Sequence, residues 1–494
     1  MKLIHIHDRD NVAVLLEPIV KGQTAEISGQ MVTATEDIDK GHKIALTAIA
    51  KGENIIKYGF PIGHATVDIA AGQWVHTHVI ATNLGDILEY QYQPDVKQDI
   101  PAVCAGKTFP GYRRPDGRVG TRNEVWIIPT VSCVNRNIQL IAKAATARYA
   151  DAAIDGIYEF THPYGCSQMG EDQLTTQTIL ANLVNHPNAG AVLVVGLGCE
   201  NNHIAEFQKI IGKWDPERVK FLVAQEVEDE IEAGVELIGE LITYASSFKR
   251  EECPVAELVI GLKCGGSDGF SGITGNPLVG YFSDRLIACG GSSVLTEVPE
   301  MFGAETILMN RATGQDVFDK TVDLINGFKH YFTAHNQVVY DNPSPGNKKG
   351  GISTLEEKSL GCTQKGGVSP VVDVLPYAGT VSQKGLNLLS GPGNDMVACT
   401  VLAAAGCQII LFTTGRGTPL GTAAPCVKVA TNSDLFAHKA NWMDFDAGRL
   451  LVEPRAKVVD EFFDYVLAVA GGQRTKSEEM GFREIAIFKN GVTL

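Results

Sequence analysis

The 494-residue sequence predicts a multidomain fold: a small mostly-β N-terminal domain, followed by an α/β region of parallel-sheet βαβ units in two lobes. Three observations carry this prediction. Residues 1–92 alternate short apolar runs with Gly-containing turns, residues 93–124 are rich in Pro, Gly and charge without periodicity, and from 125 each apolar run precedes a helix-length segment.

In the first region the runs are "NVAVLLEPI", "KIALTAI", "NIIKYG", "ATVDI" and "WVHTHVI". If the last is a strand, its period of two puts His76 and His78 on one face, where two imidazoles can converge on a metal ion or simply form the polar face of an edge strand. His64, in "PIGHA", is a third candidate. His42 and Lys43 lie where a turn enters "KIAL". The 93–124 stretch reads as a linker and surface arm.

The first α/β lobe is expected over 125–280, with the runs "VWIIPTVSC", "GIYEFTHPYGC", "AVLVVGLGC", "VKFLVA" and "ELVIGLKCGG"; the second, over 281–494, has "SSVLTEV", "VVDVLPYA" and "QIILFTTGRG". Cys133, Cys166 and Cys199 each end a run, 33 residues apart, and Cys264 ends a fourth. Such positions fall at the carboxyl edge of a parallel sheet, where ligands collect. Three readings stay open: small buried residues at tight turns, pocket lining, or a thiolate metal or iron–sulfur site using three of the four.

"KCGGSDGFSGITGNP" places Ser267 and Asp268 among glycines after a strand, which suits an oxyanion, a metal or a sugar hydroxyl. It is neither a P-loop nor a dinucleotide fingerprint. Lys348 in "NPSPGNKKGGIST" and Arg416 in "TTGRGTPLG" are candidate carboxylate-binding cations. Glu297 ends "SSVLTE" and is a pocket candidate, whereas Glu300 and Glu305 read as solvated surface acids.

With 57 acidic and 42 basic residues the formal charge is -15, which excludes a polyanion footprint and makes nucleic acid a poor partner. No run approaches 18 apolar residues, and "MKLIHIHDRDNVAV" has no apolar run before a small-residue cleavage site, so neither a membrane span nor a secretory signal is expected. Eleven cysteines, an odd number, favour reduced thiols and a cytoplasmic location.

Taken together, "HDRDNVAV", "GHKIAL", "IIKYGFPIGHA", "GQWVHTH", "RRPDGRVGTRN", "YGCSQMG", "VGLGCENN", "LKCGGSDGFSG", "NPSPGNKKGG" and "FTTGRGTPLG" closely resemble the altronate branch of the altronate/galactarate dehydratase family, in order and over nearly the whole chain. The resemblance implies an N-terminal SAF domain, a divalent metal, Fe(II) or Mn(II), and a sugar-acid substrate. The expected reaction is dehydration of D-altronate to 2-dehydro-3-deoxy-D-gluconate, with galactarate dehydration, a sulfo-lyase acting on sulfolactate and a non-catalytic sugar-acid binder as alternatives. The galactarate branch lacks histidines matching His64, His76 and His78, which ties these three to the altronate branch. On this reading His76, His78 and His64 hold the metal, His42 and Lys43 are acid/base groups, and Asp268 orients metal or substrate. Lys348 and Arg416 clamp carboxylate beside Ser267, the arm through Arg122 and Asn123 forms a seam to the substrate, and a homodimer is the expected assembly.

Overall fold

Alternation of buried and exposed side chains is satisfied in the N-terminal domain by short antiparallel strands. Thr24–Ile27 buries Ala25 and Ile27 and exposes Thr24 and Glu26 as it pairs with Gln30–Thr33. Leu3–Ile4, Val12–Leu15, Lys43–Ala45 and Trp74–Val75 form a four-stranded sheet, and Asn54–Lys57, Phe60–Ala65 and Ile80–Ala81 a three-stranded one. The apolar cluster around Ile55 and Ile62 extends to Ala304 and Leu360, so this domain shares a core with the body of the protein. The computed structural model describes residues 3–27, 29–85, 87–96 and 106–494.

The run "WVHTHVI" is not one strand. It stops at Val75, and the Val79 N–H donates to the His76 carbonyl at 2.9 Å, closing a turn that buries His76 and exposes His78. The arm also differs from expectation. Part of it, 97–105, lies outside the described residues, but Thr108–Arg113 pairs with both Val119–Gly120 and Glu251–Pro254, and so satisfies its backbone as a sheet.

Two parallel sheets follow. The first runs Gly156–Glu159, Glu124–Pro129, Ala189–Gly196, Val219–Val223. Along Glu124–Pro129, Val125 and Ile127 pack under the helices Asn135–Arg148 and Glu230–Ala245, while Trp126 and Ile128 pack under Gly170–Val184 and Ile204–Ile211. Burial on both faces explains a continuous apolar strand.

The second sheet has seven strands: Val371–Leu375, Leu386–Leu389, Ser292–Leu295, Val259–Cys264, Ile409–Thr414, Cys426–Ala430 and Phe445–Asp446. Val259–Cys264 is its centre, so the division between lobes falls between Ala245 and Val259 and not at 280/281. Local pattern identifies a strand but does not say which sheet it joins. The strand order reverses between Val259–Cys264 and Ile409–Thr414, which is where open α/β sheets collect ligands. Among the described residues no helix is long and apolar enough to cross a membrane.

Candidate active site at the edge of the seven-stranded sheet

Charge gathers beyond Cys264. Lys263, 0% exposed, donates to Glu297 and, at 2.8 Å, pairs with Asp395; Lys365 reaches the other Glu297 oxygen at 3.0 Å. Glu297 has φ 68°, a left-handed conformation costly for a non-glycine residue and characteristic of functional sites. Burial pushes its carboxyl up to about 7, although Lys263 and Lys365 pull the other way. Next to it, Lys358 donates to Glu300 at 2.7 Å and Asn342 at 3.1 Å. Burial opposes ionisation of Glu300, yet Lys358, then Lys263 and Lys365, hold it down at about 2.

Two thiols complete the cluster. A hydrogen bond from Cys362 pulls the Cys264 thiol well below its usual range, against burial and with help from Lys365 and Ser267, and Cys362 moves the opposite way. Ser267 Oγ lies 2.8 Å from Cys264 Sγ. A cavity of about 590 Å³ opens here, lined by Cys264, Glu300, Asn342, Lys358, Asp395 and Phe488 among others. That volume suits a small sugar acid. A cleft of similar size, about 560 Å³, opens at the opposite, amino-terminal edge between the lobes, near Arg118, Asn182 and Lys384, and meets none of these buried ions.

One helix ties this cluster to the N-terminal domain. In Leu355–Cys362 every residue is buried, Thr354 caps the first turn, and acidic Glu356 and Glu357 lie at the positive end of the helix dipole. Lys358 and Cys362, four apart, share a face and both reach Glu300. Glu357 serves the other side: it accepts from Lys43 at 2.8 and 3.0 Å and from Lys57 at 2.8 Å. Burial lowers Lys43 to about 8 in spite of Glu357, while the two lysines hold Glu357 at about 2 against burial.

The glycine-rich loops make this docking possible. A Cβ on Gly269 would lie 2.0 Å from the Gly41 carbonyl oxygen and one on Gly351 2.3 Å from it, so both loops press backbone to backbone onto the N-terminal turn. The glycines expected to cradle an anion instead seat a domain.

Family models match along the chain: the altronate/galactarate dehydratase SAF domain over residues 1–83, the D-galactarate dehydratase/altronate hydrolase second domain over 111–246, and the D-galactarate/altronate dehydratase C-terminal model over 255–493. The chain belongs to the altronate/galactarate dehydratase family. Within that family it is 54% identical to the altronate dehydratase of Escherichia coli (strain K12), covering 100% of both chains, and 55% identical to that of Bacillus subtilis (strain 168), covering 99% of both. The galactarate dehydratase (L-threo-forming) of E. coli is 33% identical over 98% of this chain and 96% of its own.

The residues named from sequence fall into three groups. Ser267 and Cys264 belong to the site. Lys43 is an interdomain clamp, with Gly351 O and Ser353 Oγ as further acceptors, both at 2.8 Å, and it does not line the 590 Å³ cavity. Asp268 organises its own loop: its oxygens accept from Phe270 N, Ser271, Thr431 and Asn432. Lys348 is half-buried and Arg416 exposed, and both miss the cavity wall that Ser344, Asn347 and Asn342 form.

The others lie elsewhere. Arg122 is spent on a two-pronged pair with Glu478 (2.7 and 2.9 Å), and Asn123 bonds Arg114 and the Ala245 carbonyl, at the amino end of the first sheet. His42 accepts from Trp74 Nε1 at 3.1 Å and donates to the Lys349 carbonyl at 3.3 Å, so both ring nitrogens are engaged away from the 590 Å³ cavity and neither is free for the acid/base role expected of it. His64 Nδ1 pairs with Asn83 at 2.8 Å. His76 and His78 both pack on the Trp74 indole, with centroids 5.3 and 4.9 Å away, and burial, then Lys43, lowers His76 to about 4. Among the described residues no three His, Cys, Asp or Glu side chains are placed to hold one metal ion, so the three histidines do not fit the Fe(II) or Mn(II) expected of them. Cys264, buried in the second lobe, is also separate from the exposed Cys133, Cys166 and Cys199.

Sequence reading passed over Glu300, Lys358 and Cys362. Glu300 was expected in solvent, but its position three residues past Glu297 folds it under the same strand end. "STLEEKSLGC" looks like a charged surface helix, and its one warning is the cap signal Thr354 before Glu356 and Glu357.

Proposed function

We propose that this chain dehydrates D-altronate to 2-dehydro-3-deoxy-D-gluconate and water at the carboxyl edge of the seven-stranded sheet. The observation that carries the reading is full-length identity of 54–55% to two altronate dehydratases against 33% to a galactarate dehydratase. The cavity supports it chemically. Lys358 spends two of its three N–H groups on Glu300 and Asn342, leaving one to take the substrate carboxylate. Removing the C2 proton of a carboxylate builds a second negative charge, and Lys358 with Lys263 and Lys365 behind it offers fixed positive charge where that develops.

Cys264, whose thiol the hydrogen bond from Cys362 pulls well below its usual range, lines the same cavity wall. In this reading its thiolate takes the C2 proton and the resulting thiol returns it to the C3 hydroxyl, which leaves as water; the enol then tautomerises to the 2-keto acid. A cytoplasmic location belongs to the same reading, supported by free thiols at nine cysteines among the described residues. The test is formation of 2-dehydro-3-deoxy-D-gluconate from D-altronate under reducing conditions, in wild type and Cys264→Ala. Product from wild type and a kcat lowered about 100-fold or more in the variant are expected for a lost acid/base group. An unchanged kcat removes Cys264 from the chemistry, and sulfite release from sulfolactate in place of altronate turnover overturns the reaction.

A further inference from the structure

We propose that the carboxyl edge of the four-stranded sheet is a separate thiolate site, in which Cys133, Cys166 and Cys199 hold an iron–sulfur cluster with one iron left open. Of the nine free cysteines among the described residues, six are buried and these three alone are exposed. Cysteine is among the most buried residue types, so a packing role at tight turns predicts the reverse.

The three thiols follow Glu124–Pro129, Gly156–Glu159 and Ala189–Gly196, adjacent strands with the Cys133 strand in the middle. Strands in a sheet lie about 4.8 Å apart, so the three turns leave an edge roughly 10 Å wide. That span suits a multi-iron cluster and exceeds what one ion bridges. Thiolate ligands select iron–sulfur clusters and other soft centres.

The turns are bolted together chiefly by groups other than the sulfurs, whose own contacts are long: Cys166 Sγ to Asn201 Oδ1 at 3.5 Å and Gln225 Nε2 to Cys199 Sγ at 3.7 Å. Thr130 Oγ1 donates to Glu200 at 2.6 Å, and the Glu200 carboxylate also accepts from Leu197 N and Gly198 N. Asn202 donates to the carbonyls of Thr130 (3.0 Å) and Gly165 (3.1 Å), and Ser132 N to that of Tyr164 at 2.8 Å. Thr130, Glu200 and Asn202 are buried, so a rigid polar frame presents three exposed thiols. A Cβ on Gly165 would lie 2.0 Å from the Thr130 carbonyl oxygen, and Ser167, directly after Cys166, is held at φ 60°. Stored strain of this kind persists where surroundings fix a functional turn.

Inside the frame the Gln168 side-chain N–H₂ group is buried without a hydrogen-bond partner, a donor that a cluster sulfide can satisfy. Three helices, Asn135–Arg148, Gly170–Val184 and Ile204–Ile211, begin shortly after the three cysteines, so their N-termini lie at the same edge of the sheet. The C-terminal segment connects the two edges: Phe488 lines the substrate cavity, and Leu494 N donates to the Ser167 carbonyl at 2.9 Å.

The full chain, purified without oxygen and reconstituted with ferrous iron and sulfide, tests this. Expected are about four iron and four labile sulfides per chain, a visible charge-transfer absorbance that air bleaches, and loss of most of that iron in the C133S/C166S/C199S variant with unchanged far-UV circular dichroism. A colourless wild type without sulfide, zinc bound without sulfide, or a triple variant that keeps the wild-type cluster overturns the proposal. None of these readouts depends on turnover, so they fail or succeed separately from altronate dehydration.

Discussion

At the carboxyl edge of the seven-stranded sheet Cys264 is 1% exposed beneath lysines and carboxylates, whereas at the same edge of the four-stranded sheet Cys133, Cys166 and Cys199 stand in solvent. Both edges are built by parallel strands feeding helices. What differs is the cover. The N-terminal domain docks on the first through Lys43, Lys57 and Glu357, and desolvation there turns ordinary side chains into a strongly coupled set. A sheet edge offers a place for chemistry, and the domain laid over it decides which chemistry is possible.

Removing the cover's anchor should break the comparison most severely. Glu357→Ala strands two buried ammonium groups, and about 3–5 kcal/mol of destabilisation is expected, read as a lower urea midpoint; an unchanged midpoint means the clamp is ornamental. Next in size, Lys358→Met removes the cation facing the cavity. Its kcat/KM for altronate should fall about 100- to 1,000-fold, with a melting curve that remains cooperative.

Acid should loosen the covered edge selectively. Glu357 is held at about 2 against an ordinary 4.5, so its contribution to stability is complete above about pH 4.5 and disappears as pH falls toward 2. Melting temperatures of wild type should therefore drop more steeply over that window than those of Glu357→Gln, and parallel curves contradict the clamp. The smallest effect belongs to His78→Ala: the side chain is exposed, and a change within about 0.5 kcal/mol with full activity is expected. A large loss of activity restores the histidine pair as a functional site.

Much of the fold was legible because apolar runs bounded by Gly and charged helices obey local rules. The β-rich start, the βαβ alternation and the strand-end cysteines all follow from periodicity. Sheet membership did not: Val259–Cys264 looks like any other buried strand, and only the crossovers assign it. At the site, Cys264, Ser267 and Glu297 were readable as strand-end residues. Lys358 and Cys362 were not, because a helix buried on every side by another domain has the polar composition of a surface helix. Asp268 and Arg122 misled for a related reason, since a carboxylate that organises a loop and a guanidinium that locks a seam have the same sequence signature as catalytic groups. His76 and His78 depended on a strand three residues longer than the Trp74–Val75 strand that forms.

Steady-state turnover of D-altronate, D-mannonate, D-galactonate and galactarate by the full chain, under reducing anaerobic conditions with 2-keto-3-deoxy acid as the readout, tests the central reading most directly. Altronate should be converted with the highest kcat/KM and yield 2-dehydro-3-deoxy-D-gluconate; a preference for galactarate, or no keto-deoxy acid from altronate, contradicts it.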